Sequence, residues 1–143
     1  MSGNFQVKVR SHAGATTMDM RDHLSAHLRK RPDHLILHAS TNDAVDVDTC
    51  ADDIFDRLMD LKAFAESQVP GIKVTLSCPT IRTDDGLANA KLVQVKNRLK
   101  RSGVSIINNE SISYEDLSLV GLHLKPSGTR KLAGNMIAHM RRL

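Results

Sequence analysis

The chain has 143 residues, 41% of them apolar and only 3% aromatic, and its 20 Lys and Arg outnumber its 16 Asp and Glu to give a net charge of +4. That length and apolar share support one buried core and exclude wholesale disorder, and the scarcity of aromatics argues against a stacking platform for single-stranded nucleic acid. Cys50 and Cys78 form no CxxC and no disulfide framework, no long apolar span occurs, and residues 1–10 hold no apolar signal core; a single domain over 1–143, in an intracellular compartment (cytoplasm or nucleus) with no signal peptide or membrane span, is expected.

Phe5–Arg10 alternates apolar and polar residues and reads as a half-buried strand. Thr16–Arg31 reads as a helix. Thr16 and Asp19 make a capping box, Met20, Leu24 and Leu28 recur every fourth residue, and Pro32 stops the pattern. His34–Ala39 is a continuous apolar run, the mark of a strand buried on both faces. Thr49–Gln68 is a second helix, with Thr49 and Asp52 at its start and Ile54, Leu58, Leu61 and Ala65 along one side. Pro70-Gly71 ends it. Ile72–Cys78 is a strand with Ile72, Val74, Leu76 and Cys78 on one face. Ala88, Leu92, Val95 and Leu99 mark a third helix that ends at Gly103. Val104–Ile107 is a fourth strand, and Pro126–Arg142 a last helix with proline at its start.

Strands separated by long helices pair in parallel through right-handed crossovers, so the expected class is three-layer α/β with helices on both faces. Ligands in such sheets bind at the carboxyl ends of the strands. Those ends are the loops Ser11–Ala15, Ser40–Val47, Pro79–Gly86 and Asn108–Lys125.

Three of these loops hold residues suited to chemistry. Gly14 opens the first helix, where a backbone N–H can point into a site; a structural turn is the plainer account. Asn42, in Ser40-Thr41-Asn42-Asp43, can aim its amide at a developing oxyanion; an Asn-Asp turn would equally explain it. His123, in Gly121-Leu122-His123-Leu124-Lys125-Pro126, could act as a general base or simply be solvated.

Together, and in this order, the three blocks resemble the SGNH (GDSL-type) hydrolase superfamily. The phrase LHLKPSGTRKLAGN (122–135) is similar to the closing block of SGNH-like esterase domains encoded by animal mobile elements. The resemblance runs from about Phe5 to Met140. It implies a flavodoxin-like parallel sheet and serine-dependent hydrolysis of a small acyl ester, without cofactor or metal. By the same resemblance, Gly14 and Asn42 would be the oxyanion-hole donors and His123 the base, with Ser40 and Asp43 as auxiliary candidates.

The departures are as specific. The superfamily's nucleophile stands in a Gly-Asp-Ser block at the end of an initial strand, and no Gly-Asp-Ser occurs in this chain. The first strand with its serine, and the helix after it, are therefore expected to be missing, leaving an N-terminally truncated, inactive copy. Ser40 replaces the usual Gly of the Gly-x-Asn-Asp block, and Val120 replaces the usual Asp three residues before the His. Cys78, inside an apolar strand, is expected to be inert. In the superfamily the first strand lies between those matching Phe5–Arg10 and His34–Ala39. Without it Phe5–Arg10, or a second copy of the chain, is expected to pair with the open edge, with homo-oligomers as one outcome.

Other signals have plain accounts. His23 and His27 stand four apart on a helix, a spacing that suits a metal, but the sequence offers no third ligand and a solvated face is simpler. Asp43, Asp46, Asp48, Asp52, Asp53, Asp56 and Asp60 lack the glycine and closing Glu of a calcium loop, and read as solvent-facing residues near a helix N-terminus. Lys91, Lys96, Arg98, Lys100 and Arg101, with Arg130, Lys131, Arg141 and Arg142, make two basic helices. These sustain an alternative: a non-catalytic module that binds nucleic acid without sequence preference, or a protein partner.

Overall fold

A computed structural model describes residues 5–12 and 14–143. In chain order the elements are α1 (Thr17–Leu28), β1 (His34–Leu37), α2 (Ala51–Gln68), β2 (Lys73–Ser77), α3 (Gly86–Arg101), β3 (Ile106–Ile107) and α4 (Pro126–Arg141). Single 3₁₀ turns at Asp43–Val45 and Tyr114–Asp116 sit in the loops. Each helix starts where local chemistry favours it. Thr16 caps α1 by the expected box with Asp19. Cys50 with Asp53, rather than Thr49 with Asp52, opens α2. Asp85 accepts from Ala88 N–H at the start of α3, and α4 begins on Pro126.

The three strands form one parallel sheet in the order β1-β2-β3, with Ile36 opposite Thr75 and Leu76 opposite Ile106. The strand expected over Phe5–Arg10 does not form: the segment has no regular secondary structure, and Val7 and Val9 are 54% and 75% exposed. Alternation alone does not make a strand; the backbone needs a partner ladder, and Phe5–Arg10 joins none. The outer edge of β1 is therefore unpaired among the described residues, and the intramolecular version of the expected edge repair is overturned.

Alternation splits the sheet into two unlike faces. Leu35, Leu37, Val74, Leu76 and Ile106 point one way and join the main core with Leu24 and Leu28 of α1, Ile54, Leu58 and Leu61 of α2, and Leu92, Val95 and Leu99 of α3. The opposite face carries His34, Ile36, His38, Thr75, Ser77, Ser105 and Asn109, and α4 lies over it. This corrects the expectation that His34–Ala39 is buried on both faces: His34, Leu35, Ile36 and His38 are only half-buried. The run is apolar enough for a central strand, but β1 is an edge strand whose α4-side face is partly open. On α4 only Gly128 is buried, and Ile137 is 41% exposed. A Cβ at Gly128 would stand 2.9 Å from the Asp116 carbonyl oxygen, so the absence of a side chain lets the helix approach the turn before it. Among the described residues no helix is long and apolar enough to cross a membrane.

Candidate active site

The loops at the carboxyl ends of the strands touch one another in a continuous chain. Asn42, which follows β1, donates through Nδ2 to the carbonyl of Ala15 at 3.0 Å, so its amide lies against the Gly14 turn. Gly14 has φ +74°, a left-handed conformation natural to glycine, and is exposed beside an open hollow of about 250 Å³ lined by Gly14, Ala15, Asp19, Asp22 and His23. Thr41, next to Asn42, receives a hydrogen bond on its carbonyl from Arg82 at 2.7 Å. Arg82 is 4% exposed and grips Asp84 through two further bonds of 2.8 and 2.6 Å, a planar fork-to-carboxylate pair. That pair holds the Asp84 carboxyl below the usual carboxylate range, and the His123 ring is near enough to push in the same direction.

The His123 loop is seated on the same clamp. The N–H of Thr83 donates to the Gly121 carbonyl at 2.8 Å. Gly121 has φ +76°, and a Cβ there would come within 2.2 Å of Thr83 Oγ1 and 2.8 Å of the Asp84 backbone nitrogen, so no larger residue fits. Ser118 N–H donates to the His123 carbonyl at 2.7 Å, and Leu117 bridges to Leu124, fixing the backbone on both sides of the histidine. The His123 side chain is exposed, and among the described residues no carboxylate hydrogen-bonds its ring; Val120, at the position where the resemblance would put one, is 64% exposed.

The two auxiliary candidates are both sealed in. Asp43 is 2% exposed, accepts from Thr17 N–H at 2.9 Å and from the Thr17 hydroxyl, and has Arg57 at 3.5 Å. It therefore pins the start of α1 to the Asn42 loop and is no solvated acid, which corrects the reading of the acidic stretch at this one position. Ser40 is 0% exposed, has φ +103°, and its buried Oγ has no hydrogen-bond partner. It stands in a backbone conformation that favours glycine, with a hydroxyl that no substrate can reach. Cys78 is also 0% exposed, and burial pushes its thiol pKa up, which makes it inert.

Sequence reasoning passed over Arg82 and Asp84, although both lie in a loop marked for ligands. The signal was an Arg and an Asp two residues apart in a strand-end loop, a spacing that lets a guanidinium fork onto a carboxylate. It also passed over a polar relay on the α4 face. His38 Nδ1 lies 2.9 Å from Ser77 Oγ, and Asn109 Nδ2 donates to that Oγ at 2.8 Å. Ser77 Oγ thus joins His38 to Asn109, and burial pushes the His38 pKa down to about 4, which keeps the imidazole neutral.

No family model and no curated protein matches the sequence. Solved structures do match the fold. An acetyl esterase, solved as a mutant with acetate ion, is 17% identical with a TM-score of 0.76, over 92% of this chain and 69% of that one. A carbohydrate esterase family 3 protein from Talaromyces cellulolyticus is 19% identical with a TM-score of 0.74, over 92% and 69%. A lipase/acylhydrolase from Enterococcus faecalis is 20% identical with a TM-score of 0.71, over 89% and 71%. The chain thus has a three-layer, flavodoxin-like α/β fold shared with these acetyl esterase and acylhydrolase structures.

Proposed function

We propose that these residues form an SGNH-type ester hydrolase domain that carries the oxyanion donors and the base but no working nucleophile, so that it is catalytically silent as it stands. One observation carries this reading. Asn42 meets the Gly14 turn, while the Arg82–Asp84 clamp ties the Asn42 loop to the His123 loop at one end of the sheet. In a complete site of this kind a base takes the proton of a serine hydroxyl as it attacks the acyl carbon. The developing oxyanion is then met by N–H donors, here the Gly14 backbone and the second N–H of the Asn42 amide. Among the described residues no carboxylate bonds the His123 ring to orient it, and the buried Ser40 offers no substitute for the serine.

The fold neighbours are named as acetyl esterases and acylhydrolases, which supports a small acyl ester as the substrate class of an intact relative. The similarity of 122–135 to mobile-element esterase domains supports an origin of this domain in such an element. The alternative, a basic nucleic-acid-binding face, has less to rest on. Lys96 and Lys100 pair with Glu110, Arg98 with Asp52, and Lys131 with Asp116, so four of its nine cations are already matched.

The test is hydrolysis of an activated acetyl ester by the full chain. The expected result is a slow background of the size that free imidazole gives, abolished in His123→Ala. Saturable turnover that survives His123→Ala would overturn the reading.

A further inference from the structure

The charges of the chain are sorted between the two ends of the sheet. Helices that connect parallel strands run back against them, so the helix C-termini gather at the amino ends of β1, β2 and β3. Arg29, Lys30 and Arg31 follow α1, Lys73 opens β2, Arg101 closes α3, and Arg141 and Arg142 end α4. All of these are exposed, and among the described residues none pairs with a carboxylate. Contacts bring their elements together. Lys73 N–H donates to the Asp33 carbonyl at 3.0 Å, at the start of β1. The His34 and His139 rings lie 6.0 Å apart, and Ser105, just past Arg101, has its Oγ 3.0 Å from the Thr75 hydroxyl that His139 also reaches. The side-chain carboxylates at this end are Asp33 and Glu66, and Lys62 holds Glu66. Asp19, Asp46, Asp48, Asp52, Asp84 and Asp85 stand at the other end.

We propose that the amino end of the sheet is a docking surface for the phosphodiester backbone of a nucleic-acid duplex, held by charge and without sequence readout. A cation in the last turn of a helix complements the helix dipole, but Lys30 and Arg31 lie beyond α1 and Lys73 stands on a strand, so the dipole does not account for the cluster. The positive field is felt locally: after burial, His139 and Lys73 lower the pKa of His34, and Arg142 lowers that of His139. Most of the cations are arginines, whose planar fork meets two phosphate oxygens at once. A single strand would call for stacking residues, yet Tyr114, the one exposed aromatic among the described residues, stands in the loop before α4 at the opposite end. A membrane surface would call for exposed apolar side chains beside the cations, and Val45, Val47, Leu87, Leu119 and Val120 are likewise at the opposite end. Contacts to phosphate alone carry no sequence information. This surface is distinct from the faces of α3 and α4, where carboxylates match Lys96, Arg98, Lys100 and Lys131, and it stands independently of the ester-hydrolase reading.

The experiment is fluorescence anisotropy of the full chain with two labelled DNA duplexes of unrelated sequence, over a series of salt concentrations. Both duplexes are expected to bind equally, with the logarithm of affinity falling linearly with that of salt, by about 0.9 for each phosphate neutralised. Arg141→Gln with Arg142→Gln, and separately Arg29→Gln with Lys30→Gln, should each weaken binding to both duplexes and reduce the salt slope by about two, or about one per cation. Lys91→Gln with Arg130→Gln removes the same net charge from the other end of the sheet and should leave the slope unchanged. The two test pairs lie on different elements and are exposed, so one still reports if circular dichroism shows the other misfolded. Phosphatidylserine vesicles, polyglutamate and a single-stranded oligonucleotide should each bind more weakly than the duplexes. No binding of either duplex at low salt, a loss in the Lys91 and Arg130 pair equal to that in the test pairs, or any of the three competing probes held as tightly as the duplexes would each overturn the assignment.

Discussion

The two faces of the sheet are built from the same strands by opposite rules. Leu35, Leu37, Val74, Leu76 and Ile106 are apolar and lie under three helices whose core residues are almost fully buried. Turned the other way, Ile36 and Ile107 stand among the polar His34, His38, Thr75, Ser77 and Asn109, and hydrogen bonds tie α4 to that face. Thr75 Oγ1 has His34 at 2.8 Å, Ser105 at 3.0 Å and His139 at 3.0 Å, and Asn135 reaches Asn109 at 3.1 Å. Apolar burial is non-directional and indifferent to pH, whereas a hydrogen-bonded face is only as good as its weakest partner. The first face holds the fold and the second makes part of its stability conditional.

The largest effect should come from the apolar face. Leu76 is 1% exposed at the centre of the sheet, and Leu76→Ala should cost about 2–5 kcal/mol. Thr75→Val, one residue away and facing α4, removes a hydroxyl bonded by three groups and should cost about 1–3 kcal/mol. Urea unfolding of both variants checks the ranking; a costlier Thr75→Val would reverse the comparison.

Acid should act chiefly on the polar face. His38 titrates at about 4 in the fold against about 6.5 unfolded, so the unfolded chain binds the extra proton. The stability this gives is complete above about pH 6.5 and is lost as pH falls toward 4, up to about 3 kcal/mol. Burial lowers His34 and His139 as well, and their share is lost over the upper part of the same window. Asp116, held at about 2 chiefly by Lys131, keeps its contribution until the pH drops below the ordinary carboxylate range. Unfolding free energies between pH 4 and 7 should therefore slope downward toward acid, and His38→Gln should flatten the slope. Amide exchange in α4 should rise first. A flat profile in the parent chain would contradict the reading.

A smaller gain is expected at Ser40. Its φ of +103° and unpartnered buried hydroxyl both disfavour serine, so Ser40→Gly should stabilise the chain by about 1–2 kcal/mol despite glycine's greater freedom when unfolded. The melting temperature measures it, and a fall would show that the site wants a side chain.

The core was legible in the sequence because periodicity reports burial directly. Ile54, Leu58 and Leu61, or Val95 and Leu99, could hardly face anything but a sheet. The strands were read too long: the β3 ladder holds two residues where the pattern suggested four, since pairing and not hydropathy ends a strand. Phe5–Arg10 was misread for the same reason. At the candidate site, Gly14, Asn42 and His123 were visible as residue types at strand ends. Arg82 was not, because what matters there is its contact with Thr41 across 41 residues of sequence, which no local pattern records; only its spacing to Asp84 was a local signal.

Central to the account is a site without an attacking serine. Removing one member of such a catalytic unit leaves only the residual help of the oxyanion donors, about 10³–10⁴ over water in a well-built hydrolase. The direct measurement is treatment of the full chain with a serine-directed phosphonate, followed by intact-mass and peptide mass spectrometry. The account predicts unmodified protein throughout. A stoichiometric adduct on Ser40 or any other serine, formed as ester turnover disappears, would show that the chain holds a working nucleophile and would contradict it.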